Sequence, residues 1–112
     1  MNQIKRISGI ADEMISVLLK YQFTKIEISV EPLPHGIRFF FIQYENRITQ
    51  MQLDDLLSHL NRSRQLEYET YFWSLAGETT EDMNLSVIGG MINKAEGWIE
   101  EDRLYLILER KN

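Results

Sequence analysis

The sequence predicts an α+β fold: a two-layer sandwich in which a four-stranded, largely antiparallel sheet carries its helices on one face. Three observations lead there. Apolar residues recur at three-four spacing in some segments, they alternate at period two in others, and each alternating pair is joined by a short turn-forming stretch.

The first helix is expected over Asn2 to Gln22, where Ile4, Ile7, Ala11, Met14 and Leu18 line one face. The period then changes. Ile26, Ile28 and Val30 alternate with Lys25, Glu27, Ser29 and Glu31, as in a strand with one wet face. Pro32-Leu33-Pro34-His35-Gly36 suits a chain reversal, so a hairpin follows, and its second arm, Ile37 to Tyr44, is apolar on both faces and belongs inside the sheet.

Thr49 followed by Gln52 has the capping-box spacing, and Leu53, Leu56, Leu57 and Leu60 supply a buried stripe for the second helix. Leu66 to Ala76, rich in aromatics and ending at Gly77, reads as helix. Thr80 caps another segment whose Leu85, Ile88, Gly89 and Ile92 share a face, with Gly97 expected to break it. Trp98 and Ile99 then lead into a Glu101-Asp102 turn, and Leu104, Leu106 and Leu108 alternate with Tyr105, Ile107 and Glu109 in a closing strand. No internal repeat or linker interrupts this order, so residues 1–112 are expected to form a single domain.

With 44% apolar and 26% charged residues, the chain has enough hydrophobic surface to fold. Seventeen acidic against twelve basic residues give a net charge of -5, a field that repels phosphate backbones and argues against a nucleic-acid partner. The basic pairs Arg62 with Arg64 and Arg110 with Lys111 read as short solvated clusters. The absence of cysteine removes disulfides, thiolate catalysis and cysteine-ligated zinc, and points to a reducing, cytoplasmic compartment. Met1 to Ser8 is polar and no apolar run approaches the roughly 18 residues of a membrane span, so neither secretion nor membrane insertion is expected.

The element order, together with three local stretches, resembles a reduced form of the ATP-binding domain of sensor histidine kinases, anti-sigma kinases and gyrase, the GHKL superfamily, over roughly Ile7 to Arg110. Ile10 to Tyr21 is similar to that family's N-box helix, in which a Glu is followed four residues later by Asn. Glu13 matches the Glu, but Val17 stands where the family's Asn holds magnesium, a task an alkyl group cannot perform.

Phe41 to Arg47 resembles the strand entering the family's first glycine box, with Glu45 and Asn46 at the Asp-Asn positions. Glu45 is one methylene too long for the adenine-contacting Asp, and Arg47 replaces a glycine needed for close backbone approach. Met83 to Ile92 is similar to the segment that opens the helix under the phosphates, with Asp82 and Asn84 in place of its two glycines. An Asp there meets phosphate with repulsion. The resemblance thus implies the fold with a dead nucleotide site, no bound cofactor and no metal.

Other candidate chemistry is thin. His35 falls in a turn and His59 on a leucine-rich helix, neither with a second histidine at ligand spacing. Asp54-Asp55 and Glu100-Glu101-Asp102 read as solvated carboxylates rather than acid/base pairs. No serine sits in a nucleophile elbow, and Gly89-Gly90 lacks the Lys-Ser/Thr of a phosphate loop; its small size suits a helix approaching the sheet. The aromatic cluster Tyr68, Tyr71, Phe72, Trp73 and Trp98 either covers one open face of the sheet or forms a dimer or partner surface.

The expected function is therefore a non-catalytic interaction or regulatory module that binds itself, as a homodimer, or another protein. Two alternatives stand beside it. One is a nucleotide-binding or phosphotransfer protein using Glu13, Glu45 and Asn46, and the other an unrelated small-molecule-binding α+β domain with a pocket near the aromatic helix.

Overall fold

The computed structural model describes residues 3–61 and 88–111. In chain order these form α1 (Gln3–Leu18), β1 (Lys25–Leu33), β2 (Gly36–Tyr44), α2 (Gln50–Leu60), β3 (Lys94–Glu100) and β4 (Arg103–Lys111). The strands make one four-stranded sheet in the order β1-β2-β4-β3, with every neighbouring pair antiparallel. β2 and β4 occupy the centre, which is where a strand apolar on both faces belongs.

Strand alternation gives the sheet two different surfaces. Phe39 and Phe41 of β2 and Leu104, Leu106 and Leu108 of β4 turn to one side and are buried. There they join Ile10, Met14, Val17 and Leu18 of α1 and Leu53, Leu56 and Leu60 of α2 in a single core. Burying each such side chain is worth about 1.5–3 kcal/mol. The fold is therefore α+β with α1 and α2 on one face of the sheet.

α2 starts as its sequence predicts. Thr49 Oγ1 accepts from the Gln52 amide at 3.1 Å and Gln52 Oε1 accepts from the Thr49 amide at 2.9 Å, closing the capping box. At its other end Asn61 bonds back to the Leu57 carbonyl and across to β3, exchanging hydrogen bonds with both the carbonyl and the amide of Ala95. One side chain thus ends a helix and blocks part of a sheet edge.

Several boundaries differ from expectation. α1 stops at Leu18 rather than Gln22, because the amides of Lys20 and Tyr21 bond to carbonyls three residues back and tighten the chain out of the helix. Pro32 and Leu33 belong to β1, leaving Pro34-His35 as the turn; an edge strand tolerates the proline. β1 has no dry face: Ile28 and Val30 are 39% and 49% exposed, since this edge lies beyond the cover of the described helices.

Gly97 does not break a helix. Helical backbone over 88–91 ends before β3, and Gly97 lies inside that strand, where a Cβ would stand 2.6 Å from Leu106 Cδ2 and 3.3 Å from Leu53 Cδ1. Its missing side chain lets α2 approach the sheet. Gly89 likewise permits close contact, but with α2 rather than the sheet: a Cβ would sit 2.8 Å from the Leu60 carbonyl oxygen. Arg110 is not a solvated surface residue either. It is buried, and its Nη1 donates to the Met91 carbonyl at 2.6 Å, a cation at the end of the 88–91 helical stretch.

The expected helix over Leu66–Ala76, the Thr80 cap, the Arg62 and Arg64 pair, and Leu85 lie outside the described residues.

Candidate functional site

The face of the sheet opposite α1 and α2 carries the most unusual surface among the described residues. Its middle is apolar: Phe40 and Ile107 pair across β2 and β4, and Ile42, Tyr105 and Trp98 pair across β2, β4 and β3. Trp98 and Tyr105 stack at 5.2 Å with their planes 7° apart, and Phe40 tilts against both at 6.5 and 6.3 Å. These rings are half-buried by one another, yet Trp98 remains 39% exposed.

Charged residues close both ends of this apolar band. At one end Arg38 reaches Glu109 and Glu31, both at 3.0 Å, in the same cross-strand row as Lys94. Those two carboxylates push the Arg38 guanidinium further toward its protonated form. Lys94 pairs with Glu96 at 3.0 Å.

At the other end Lys25 and Arg103 flank the Tyr44 ring, at 5.2 and 4.9 Å from its centroid, and Glu100 pairs with Arg103 across β3 and β4. The Tyr44 hydroxyl donates to Glu27. That donation, with help from Lys25, holds the Glu27 carboxyl below its ordinary pKa and pushes the Tyr44 hydroxyl above its own. Cations and carboxylates on this face nearly balance, although the whole chain carries -5.

A second polar cluster ties the β2 exit to α1. Gln43, fully buried on the helix-facing side, donates from Nε2 to the Leu18 carbonyl at 2.7 Å and accepts from Asn46 Nδ2 at 2.6 Å. Asn46 Oδ1 accepts from the Ile48 amide at 2.6 Å, and the Asn46 amide donates to the Asp102 carbonyl at 2.7 Å. Each member satisfies its neighbour, so the cluster works as a bracket between α1, β2 and the β3–β4 turn.

The positions matched to the nucleotide site are only partly gathered. Glu45, Asn46 and Arg47 share a cleft of about 370 Å³ with Gln22, Glu101 and Asp102. Glu45 and Glu101 both adopt left-handed backbone, with φ of 50° and 58°. Glu13 and Val17 do not line this cleft. They lie one turn apart on α1, Val17 wholly inside the core and Glu13 largely buried, so that desolvation, reinforced by the charge of Asp12, raises the Glu13 pKa. Asp82 and Asn84 lie outside the described residues.

Among the described residues lining the cleft, Glu45, Glu101 and Asp102 stand against Arg47, an arrangement unsuited to a triphosphate. Among the described residues no group of His, Asp or Glu side chains has the geometry to hold a metal ion. His59 places Nδ1 2.9 Å from the Asp55 carbonyl on α2. No helix of the described residues is long and apolar enough to cross a membrane.

Of the predicted aromatic surface only Trp98 lies among the described residues; Tyr68, Tyr71, Phe72 and Trp73 do not. Sequence reasoning missed the partners that Trp98 has on the sheet. Phe40 is legible as part of a strand apolar on both faces and Tyr105 as part of an alternating one, but only the register reveals that they meet Trp98 on one face. Gln43 was also missed, and its signal was a lone amide at a position in step with Phe39 and Phe41. Comparison with known proteins gives no match for this chain: no family model, no curated protein and no solved structure.

Proposed function

We propose that this chain is a non-catalytic protein-interaction module that works by binding a second protein surface, with self-association as its form. The observation that carries this reading is the open face of the sheet, where Phe40, Ile42, Trp98, Tyr105 and Ile107 form an apolar band with charged residues at both of its ends. Aromatic anchors inside a polar rim are the composition of binding surfaces.

The resemblance to the histidine-kinase-type ATP-binding domain is retained within this proposal as a degenerate relationship. Three features support the loss of nucleotide chemistry. Val17 is packed in the core, the Asn46 amide group is consumed in holding Gln43 and Ile48, and carboxylates predominate in the adjoining cleft. A cysteine-free composition fits a cytoplasmic protein, and the net charge of -5 favours a protein partner over nucleic acid.

Calorimetric titration with magnesium-ATP, paired with light scattering over a concentration series, tests the reading. The expected outcome is no saturable heat and a mass that rises with concentration. Saturable micromolar binding that Glu45→Ala weakens would replace this function with a nucleotide-dependent one.

A further inference from the structure

The charges at the four corners of the open face alternate in sign around its perimeter. Lys25 and Glu100 stand at one end, on β1 and β3, while Glu31 and Lys94 stand at the other end of the same two strands. Both lysines and both glutamates are exposed. From these positions we infer that the occupant of the face is a second copy of this chain, docked sheet to sheet about a two-fold axis lying in the plane of the interface. The inference rests on the interaction-module reading and names its partner and geometry.

Two identical faces pressed together in an isologous dimer are related by an in-plane two-fold axis. An axis along the strands sets Lys25 over Glu100 of the other copy and Lys94 over its Glu31. An axis across the strands sets Lys25 over Glu31 of the other copy and Lys94 over its Glu100. Under either axis every corner lysine meets a glutamate, because signs that alternate around a rectangle are complementary to their own reflection.

The middle of the face behaves equally well under both axes, since the apolar band of Phe40, Ile42, Tyr105 and Ile107 falls on itself. A partner of uniform charge meets no such match: it would face two attractive and two repulsive corners. The near-neutral balance of the face also spares two copies the repulsion that a net charge of -5 would otherwise impose.

Size sets the strength. Strands of seven to nine residues, at about 3.3 Å per residue and about 4.8 Å apart, give a face of roughly 20 by 25 Å. Two such faces bury on the order of 1,000 Å², the lower limit for a specific interface. The dimer is therefore weak and concentration-dependent, and corner charges are a large share of what orients it.

Charge-reversed chains test this by sedimentation velocity over a concentration series in low salt. Lys94→Glu alone and Glu31→Lys alone each place two like-charge contacts in an along-strand homodimer and should each raise its dissociation constant about tenfold. An equimolar mixture of those two variants should restore association near the parental level, because each reversed corner then meets its opposite. If the axis runs across the strands, the restoring mixture is instead Lys94→Glu with Glu100→Lys. Circular dichroism of each variant establishes that loss of association is not loss of fold.

Restoration by either mixture, and its weakening in high salt, is the predicted result. A parental chain that associates while neither mixture restores its reversed variants would overturn the face-to-face geometry and leave the module reading intact. A parental chain that stays monomeric at every concentration would overturn both.

Discussion

Adjacent residues of β2 show how differently the two faces of this sheet are used. Phe39 and Phe41 stack on the helix side at 6.3 Å and are shut away from water, whereas Phe40, between them in sequence, points to the open side and is only half-buried among Trp98 and Tyr105. On the covered face they share one core with apolar side chains of α1, α2, β4 and residues 88–92. On the open face the aromatic rings lean on one another, and Arg38, Glu31 and Glu109 fix their charges nearby. Apolar content does not separate these surfaces; what separates them, among the described residues, is the layer of helices, which lies on one face and not on the other.

The largest expected effect sharpens that contrast directly. Phe39→Ala should cost about 3–5 kcal/mol, while Phe40→Ala, one residue away, should cost well under half as much. Urea unfolding of the pair measures the difference, and equal losses would mean that the open face is as much a core as the covered one.

A smaller effect is expected where the covered face ends in polar groups. Asn46→Ala leaves the buried Gln43 Oε1 and the Ile48 amide without the partner they use now, at a cost of about 1–3 kcal/mol. Thermal and urea unfolding should both register it. A neutral Asn46→Ala would mean that water replaces the side chain freely and that the bracket does not hold α1 to the sheet.

The smallest effect has the opposite sign. Burial, with the charge of Asp12 adding to it, holds the folded-state pKa of Glu13 above its unfolded value. The folded protein therefore binds this proton more tightly, so its contribution favours folding at acid pH and is lost as pH rises through the raised pKa. Glu13→Gln should raise stability at neutral pH by less than about 1 kcal/mol and change it little in acid, where Glu13 is protonated in both states. A variant less stable than the parent at neutral pH would show that the carboxylate is stabilised rather than penalised where it sits.

Much of the fold is legible in the sequence, because hydrophobic period and capping chemistry are local. The capping box at Thr49 and Gln52, the Glu101-Asp102 turn and the alternation of Leu104, Leu106 and Leu108 all depend on residues near one another in the chain. What local pattern conceals is long-range. Gly97 reads as a helix stop because glycine is a local breaker, yet it lies in a strand where a Cβ would meet Leu106 of β4 and, less closely, Leu53 of α2. Arg110 reads as solvated because arginine usually is, yet it is buried and donates a hydrogen bond to the Met91 carbonyl.

The candidate surface was legible only in part for the same reason. Trp98 announced itself by its type, but the positions of Phe40 and Tyr105 beside it follow from the pairing of β2 with β4 and of β4 with β3. Alternation of corner charges is a property of four strands in register, and no single segment contains it.

The central claim, that the open face of the sheet is where this chain binds itself, is tested most directly by nitrogen–proton correlation spectra recorded through a dilution series. The account predicts concentration-dependent shifts at the Trp98 indole and at the amides of Phe40, Ile42, Tyr105 and Ile107, with α1 and α2 unmoved. Spectra that do not change with concentration, or changes centred on the helices, would contradict it.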